Sequence, residues 1–159
     1  MSKSKAYISA FDVALNYITF KDRTEKEIHT KLKEKGYSNL DIDETIDKLK
    51  EYGYINEENY AFSYIKSNIS KKSKKIIKME LLQKGINKDI VDVQLDNMDV
   101  DEESLIYESI ERRFSDFDFD DERLQRRVYS YYLRRGFNFE TIKSALSKYR
   151  IFYENYHIL

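Results

Sequence analysis

Apolar residues recur along the chain at intervals of three and four, which places them on one face of an α-helix. Polar stretches separate these periodic segments and divide the chain into nine predicted helices. The helices span about residues 6–20, 25–35, 40–52, 57–69, 73–84, 88–98, 102–114, 121–135 and 139–155. The 159 residues include four glycines and no proline, and a scarcity of these turn-forming residues favours long regular elements. The sequence therefore predicts an all-α fold and excludes a β-sandwich.

Three glycines mark an internal repeat. Gly36, Gly85 and Gly136 each follow a basic residue and are 49 and 51 residues apart. When the chain is aligned on them, apolar residues recur in every copy at positions −8, −4, +1, +6, +10 and +13. In that order the residues are Ile28, Ile77 and Val128; Leu32, Leu81 and Tyr132; Tyr37, Ile86 and Phe137; Ile42, Val91 and Ile142; Ile46, Leu95 and Leu146; Leu49, Met98 and Tyr149. We expect these side chains to form the core and each glycine to end a helix with a positive φ.

The repeat also predicts the domain organisation. Each copy holds three helices, which gives three-helix repeats over residues 1–55, 56–100 and 101–159. A single copy of this size is marginally stable alone, whereas stacked copies share a core. We therefore expect three tandem three-helix repeats, stacked into an elongated and curved array.

Helix starts are marked by capping residues. Thr24 and Glu27 have the spacing of a capping box. Asparagine or aspartate stands before five other apolar-periodic segments, as is typical of a helix N-cap. These residues are Asn56, Asn87, Asp101, Asp120 and Asn138.

The chain carries no candidate catalytic or metal-binding constellation. It has no cysteine for a thiol nucleophile or a zinc-thiolate site. Its two histidines, His29 and His157, are far apart in the sequence, and we expect both at the surface. Acidic clusters at 99–103 and 116–121 lack the spacing of an EF-hand loop, and we interpret them as sources of helix caps. The sequence predicts a protein that is not an enzyme and that needs no cofactor.

The net charge of −1 conceals strongly charged segments. Residues 66–84 hold seven basic and one acidic side chain, residues 85–122 hold three and 14, and residues 123–150 hold eight and one. In the first basic segment, helical spacing places four lysines on one helical stripe, namely Lys71, Lys74, Lys75 and Lys78. Four arginines of the second basic segment form a similar stripe. Together with Lys72 and the basic −10 position of the first repeat, they form a candidate set for binding a partner or DNA. The set is Lys26, Lys71, Lys72, Lys74, Lys75, Lys78, Arg123, Arg126, Arg127 and Arg134.

Two interpretations of these cations stay open. Either they form a basic track for phosphates or for an acidic protein surface, or they are solvated side chains that pair with the adjoining acidic segment. For Lys35, Lys84 and Arg135, beside the repeat glycines, the preference of a helix C-terminus for cations is explanation enough. Tyr132 lies among the arginines, but its −4 position places it in the predicted core.

Six short motifs follow one another along almost the whole chain. They are residues 14–18 (ALNYI), 23–28 (RTEKEI), 32–37 (LKEKGY), 53–61 (GYINEENYA), 80–86 (ELLQKGI) and 133–137 (LRRGF). In this order and spacing they resemble the RecX family, regulators of the RecA recombinase. Members of that family often have a glycine in the turn before the fifth helix, where this chain has residues 70–73 (SKKS).

The resemblance implies a non-enzymatic regulator built of three-helix units that lodges in the groove of RecA filaments on single-stranded DNA. There it would limit ATP hydrolysis and strand exchange and promote filament disassembly, in DNA repair, homologous recombination and the SOS response. The implied partners are the RecA filament and single-stranded DNA, and we expect the protein in the cytoplasm. No apolar run exceeds three residues, so we expect no membrane segment, and we expect a monomer.

Direct DNA binding through tandem three-helix modules is the second hypothesis. Myb-type repeats have a similar length but depend on tryptophan, and this chain has none. Direct readers also tend to place a basic third helix in the major groove. Here the third helices of the first two repeats are acidic, from Asp41 to Asp47 and from Asp89 to Asp96, which disfavours this hypothesis.

Overall fold

The computed structural model describes residues 8–114 and 120–156. Within these ranges the chain forms nine α-helices and no β-strand, which confirms the predicted all-α fold. The helices are α1 (Ala10–Thr19), α2 (Glu25–Glu34), α3 (Asn39–Glu51), α4 (Glu57–Asn68), α5 (Lys74–Gln83), α6 (Lys88–Asp96), α7 (Glu102–Arg113), α8 (Glu122–Leu133) and α9 (Phe139–Tyr156). None of these described helices is long and apolar enough to cross a membrane.

Side-chain caps begin most helices where the sequence predicts them. Before α2, the Thr24 hydroxyl accepts a hydrogen bond from the Glu27 N–H at 3.2 Å, and Glu27 Oε2 accepts one from the Thr24 N–H at 3.0 Å. This confirms the predicted capping box. Amide oxygens likewise cap α4, α6 and α9, from Asn56, Asn87 and Asn138.

Two helix starts differ from the prediction. Helix α1 begins at Ala10 rather than near residue 6, because the Ser9 hydroxyl accepts a hydrogen bond from a first-turn N–H and caps the helix there. Helix α8 is capped by Asp121 rather than Asp120, because the Asp121 carboxylate accepts two hydrogen bonds from the first turn. Asp101 caps α7 as predicted, so both acidic clusters supply a cap.

The repeat glycines end their helices in the left-handed region, with φ of 88°, 89° and 84° at Gly36, Gly85 and Gly136. Each lies in a Schellman motif, in which the residue after the glycine donates its N–H to a carbonyl of the last turn. After α5, for example, the Ile86 N–H donates to the Leu81 carbonyl at 3.1 Å. The motif also brings the −4 and +1 side chains together, which explains why both positions are apolar in every copy.

The described residues form two compact units. Unit 1 comprises residues 8–64 and 80–94, and unit 2 comprises residues 65–79, 95–114 and 120–156. The first part of α4 and the last part of α5 belong to unit 1, and the remainder of both helices belongs to unit 2. The boundaries of the three sequence repeats, at residues 55 and 100, stay a prediction.

Each unit has a core built largely from the repeat positions. The core of unit 1 contains Ala10, Ala14, Ile28, Leu32, Ile42, Ile46, Leu49 and Ile55. The core of unit 2 contains Ile106, Ile110, Val128, Tyr132, Phe137, Ile142, Ala145, Leu146 and Tyr149. Every predicted core position is buried except Tyr37 and Met98, which are half-buried. The helical spacing therefore identifies the core, and Tyr132 is part of it.

The same two repeat positions are joined by a hydrogen bond in each unit. In unit 1 the buried Thr24 hydroxyl, before α2, donates to the carbonyl of Lys84, after α5, at 2.8 Å. In unit 2 the N–H of buried Ser73, before α5, donates to the carbonyl of Arg135, after α8, at 2.9 Å. Thr24 and Ser73 both occupy position −12 of the repeat, and Lys84 and Arg135 both occupy position −1. The middle helix of one repeat therefore begins against the end of the next middle helix.

Candidate partner-binding surface

The first basic segment divides between a turn and a helix. Lys71 and Lys72 lie in the turn before α5, where both N–H groups donate to the Asn68 carbonyl, at 2.8 and 3.1 Å. The prediction of one helical stripe from Lys71 onward is wrong, because the helix begins only at Lys74. In the described chain only glycines have a positive φ, so this turn forms without the glycine that the resemblance leads one to expect.

Lys74 is held by its own unit. Its N–H donates to Glu102 Oε1 at 2.7 Å, and its ammonium donates to the Met98 carbonyl at 3.0 Å. Lys148 forms an ion pair with Glu103. The contact of Glu102 with Lys74 is made through a backbone N–H, whereas Glu103 and Lys148 pair their charges across the acidic and second basic segments, as the second interpretation of the charge pattern requires.

The remaining lysines of this segment differ in exposure. Lys75 and Lys71 are exposed, whereas Lys72 and Lys78 are half-buried and have further interactions within the chain. Lys26, in unit 1, is exposed but donates its ammonium hydrogen to the Gln83 carbonyl at 2.9 Å. Of the predicted lysines, Lys71 and Lys75 thus extend most freely into solvent.

The arginines of α8 face solvent. Arg123, Arg126, Arg127 and the C-cap residue Arg134 are all exposed. Arg126 lies 3.4 Å from Glu122 one turn earlier, with 74% and 84% of the two side chains exposed. An exposed pair of this kind contributes roughly 0–1 kcal/mol, so a partner could displace it at little cost.

Lys84 does more than place a cation at the C-terminus of α5. Its ammonium lies 3.1 Å from Glu27 Oε1 and 5.9 and 5.8 Å from the ring centres of Tyr60 and Tyr64. Burial lowers the pKa of Lys84, but hydrogen bonds to Glu27 and Tyr60 outweigh burial, and the pKa is raised. Burial and the hydrogen bond to Glu80 raise the pKa of Tyr64 to about 12. This network joins α2, α4 and α5 within unit 1.

Sequence reasoning missed two arginines that the fold brings to other cations. Arg112 and Arg113 lie at the end of α7, inside the acidic segment, where the segment's net charge conceals them. With Lys71 and Arg135 they line one cavity of unit 2. The adjacent arginine pair is their only sequence signal, because residues far apart in the chain complete the group.

The histidines and acidic clusters provide no metal site in the part of the chain that the structure describes. No group of three histidine, cysteine, aspartate or glutamate side chains is placed there to hold a metal ion. His29, which we expect at the surface, is half-buried. His157, Asp116 and Asp118 lie outside the described residues.

The fold and these surfaces define an all-α protein with exposed cations on the middle helices of its sequence repeats. Two family models match it, described as "RecX, first three-helix domain" over residues 10–49 and "RecX, second three-helix domain" over residues 56–93. The regulatory protein RecX of Finegoldia magna is 36% identical over 147 residues, which cover 88% of this chain and 71% of that protein. The regulatory protein RecX of Clostridium acetobutylicum is 34% identical over 155 residues, which cover 94% and 72%.

Solved structures of similar proteins have the same fold. The crystal structure of RecX from Lactobacillus salivarius matches with a TM-score of 0.68 and 28% identity, over 89% of this chain and 95% of that one. A crystal structure of regulatory protein RecX matches with a TM-score of 0.70 and 25% identity, over 87% and 71%. The chain belongs to the RecX family of regulatory proteins.

Proposed function

We propose that the protein regulates RecA by binding its filaments on single-stranded DNA, where it inhibits ATP hydrolysis and strand exchange and promotes disassembly. The observation that carries this proposal is the similarity to regulatory proteins named RecX over most of the chain. We further propose that it acts as a cytoplasmic monomer and without catalysis of its own, since a bound regulator needs only to favour one state of its target.

The exposed cations support a filament as the partner. Lys75 on α5 and the arginines of α8 extend into solvent, and the pair of Arg126 with Glu122 is itself exposed. A filament on DNA offers repeated phosphates and acidic side chains, so modest contacts recur along it. Complementary charge of this kind accelerates encounter and sets specificity.

The direct test measures the DNA-dependent ATPase of RecA while sub-stoichiometric amounts of the protein are added. Inhibition together with co-sedimentation with the filaments is the expected result. Unchanged ATP hydrolysis and no co-sedimentation would contradict the proposal. Light scattering at the assay concentration checks the monomer.

A charge-reversal variant tests the surface. Replacing Lys75→Glu, Arg123→Glu and Arg127→Glu should weaken filament binding roughly tenfold or more, because each change turns an attraction into a repulsion. The matched control replaces three exposed lysines elsewhere, as Lys21→Glu, Lys48→Glu and Lys143→Glu, with the same change in net charge. Equal effects of the two variants would mean that net charge causes the loss of filament binding. The surface cations would then be solvated side chains and not a binding surface.

Direct DNA binding stays the second candidate, because the exposed α8 arginines also suit phosphates. In that case the protein binds naked DNA with an affinity that falls steeply with salt, and RecA makes no difference. Binding that requires RecA would exclude it. The acidic first turns of α3 and α6, with Asp41 and Asp89, disfavour insertion of those helices into a groove.

A further inference from the structure

A cavity of about 530 Å³ lies within unit 2, where the turn before α5, helix α7 and the end of α8 meet. Four cationic side chains and two serine hydroxyls line it together with an apolar wall. The polar lining residues are Lys71, Arg112, Arg113, Arg135, Ser70 and Ser109. Among the residues that the structure describes, no carboxylate lines this cavity. The cavity therefore brings one cation from each basic segment together with two arginines of the acidic segment.

The guanidinium groups are held in place from within the unit. The Arg135 guanidinium carbon lies 3.5 Å from the centre of the Tyr131 ring, and its Nη1 donates to the Tyr131 carbonyl at 3.1 Å. Arg113 lies 5.5 Å from the same ring, and Arg112 Nε donates to the Glu108 carbonyl at 3.2 Å. Each guanidinium carries five N–H donors, so these contacts orient the groups and leave other donors for a ligand.

Unit 1 balances the charge at the corresponding repeat positions. There the cation at position −1 is Lys84, and it forms an ion pair with Glu27 at position −9. In unit 2 the cation at position −1 is Arg135, and position −9 of the preceding repeat is occupied by Ile76. The cavity of unit 2 therefore gathers four like charges that repel one another, without the carboxylate that unit 1 has there.

We propose that the cavity of unit 2 binds a phosphate group, either of a free nucleotide or of a nucleic-acid backbone. A phosphate presents several oxygens in a tetrahedral arrangement and can accept from guanidinium forks on more than one side at once. A bound phosphate would neutralise the clustered cations, which explains why they lie together. One carboxylate of an acidic peptide is planar and carries a single charge, so one arginine fork satisfies it.

This inference is independent of the proposed action on RecA. It concerns one cavity and a ligand chemistry, and the experiment contains no RecA. Failure of the RecA assay therefore leaves it standing, and its own failure leaves filament binding by the exposed α5 and α8 cations standing.

The test uses the full chain and four probes: inorganic phosphate, thymidine 5′-monophosphate, an oligothymidylate and an oligoglutamate peptide. Binding of each is measured by calorimetry for the wild type, for Arg112→Gln with Arg113→Gln, and for Lys71→Gln. Arg112, Arg113 and Lys71 are exposed side chains, so the variants should fold, which circular dichroism verifies. The matched control is Lys48→Gln with Lys143→Gln, two exposed lysines outside the cavity.

The arginine variant should lose roughly tenfold or more in affinity for phosphate ligands, because hydrogen bonds to charged groups are the strong ones, and the control should change less than about twofold. Loss of binding to phosphate and the mononucleotide identifies a free phosphate as sufficient, and loss confined to the oligothymidylate identifies backbone phosphates. Wild-type affinity of both cavity variants for every phosphate probe would overturn the proposal. So would a wild type that binds none of them, or a loss confined to oligoglutamate.

Discussion

The repeat glycines show how the surroundings of one residue type change along the chain. Gly36 and Gly136 have almost the same backbone, with φ of 88° and 84°. A Cβ added at Gly36 would meet nothing within 4 Å, whereas one at Gly136 would lie 2.6 Å from Ser73 Oγ and also collide with Ile76. Gly136 is therefore needed for its φ and for the close approach of α5, and Gly36 for its φ alone.

Replacing Gly136→Ala should destabilise the protein more than replacing Gly36→Ala. A non-glycine residue in the left-handed region costs about 1–2 kcal/mol, and we expect that cost at Gly36. At Gly136 the collision should add about 1–3 kcal/mol, the usual range for overpacking. Urea unfolding of both variants measures the difference. Equal losses in the free energy of unfolding would contradict this prediction, because they would mean that α5 moves away from the added methyl group without cost.

At the scale of elements, the start of α2 is bound to the end of α5 by Glu27. Its carboxylate accepts from the Thr24 N–H and from the Lys84 ammonium, at 3.0 and 3.1 Å. Burial raises the pKa of Glu27, but these two hydrogen bonds together outweigh burial, and the pKa is lowered from 4.5. A capping box, which the sequence predicts as a local feature, thus also serves as a contact between distant helices.

The contribution of Glu27 to stability should depend on pH. A carboxyl group with a lowered folded-state pKa stabilises the folded protein above its unfolded pKa, here 4.5, and loses that contribution as the pH falls through the folded value. Glu27→Gln should therefore lower the free energy of unfolding by about 1 kcal/mol at neutral pH, and the difference from wild type should shrink below pH 4.5.

Urea unfolding between neutral and acidic pH measures this difference. The control Asp47→Asn removes an exposed carboxylate and should show little difference from wild type at any pH. A Glu27→Gln effect that is the same at acidic and neutral pH would contradict the role of the charge.

At the scale of the whole molecule, the chain passes between its two units three times. Helices α4, α5 and α6 each contribute residues to both units, so neither unit is a continuous segment of the chain. Unfolding one unit therefore removes part of three helices from the other. We expect the two cores to lose their structure together, in one cooperative transition.

Two matched core variants test this cooperativity. Ile42 in unit 1 and Ile142 in unit 2 occupy the same repeat position and are fully buried. Ile42→Ala and Ile142→Ala should each cost about 2–5 kcal/mol and shift one single thermal transition, with equal calorimetric and van't Hoff enthalpies. Two transitions, each shifted only by the variant in its own unit, would show that the units unfold separately.

Helix positions, the core and the helix ends depend on residues near one another in the chain, so the sequence by itself determined them. Spacings of three and four identify the buried face, glycine at position 0 ends the middle helices, and the order of the motifs points to the RecX family. The cap at Asp121 rather than Asp120 differs by one residue, because adjacent aspartates are equivalent as sequence signals.

The fate of the charged side chains was decided only by the tertiary structure. In the charge pattern Lys26 and Lys74 are candidates for binding a partner, yet each ammonium donates to a backbone carbonyl far away in the sequence. Arg112 and Arg113 lie in an acidic segment, yet they line one cavity together with Lys71 and Arg135. Periodicity describes a single helix, whereas charges act through space on whatever the fold places beside them, so a basic cavity appears only when the helices have packed.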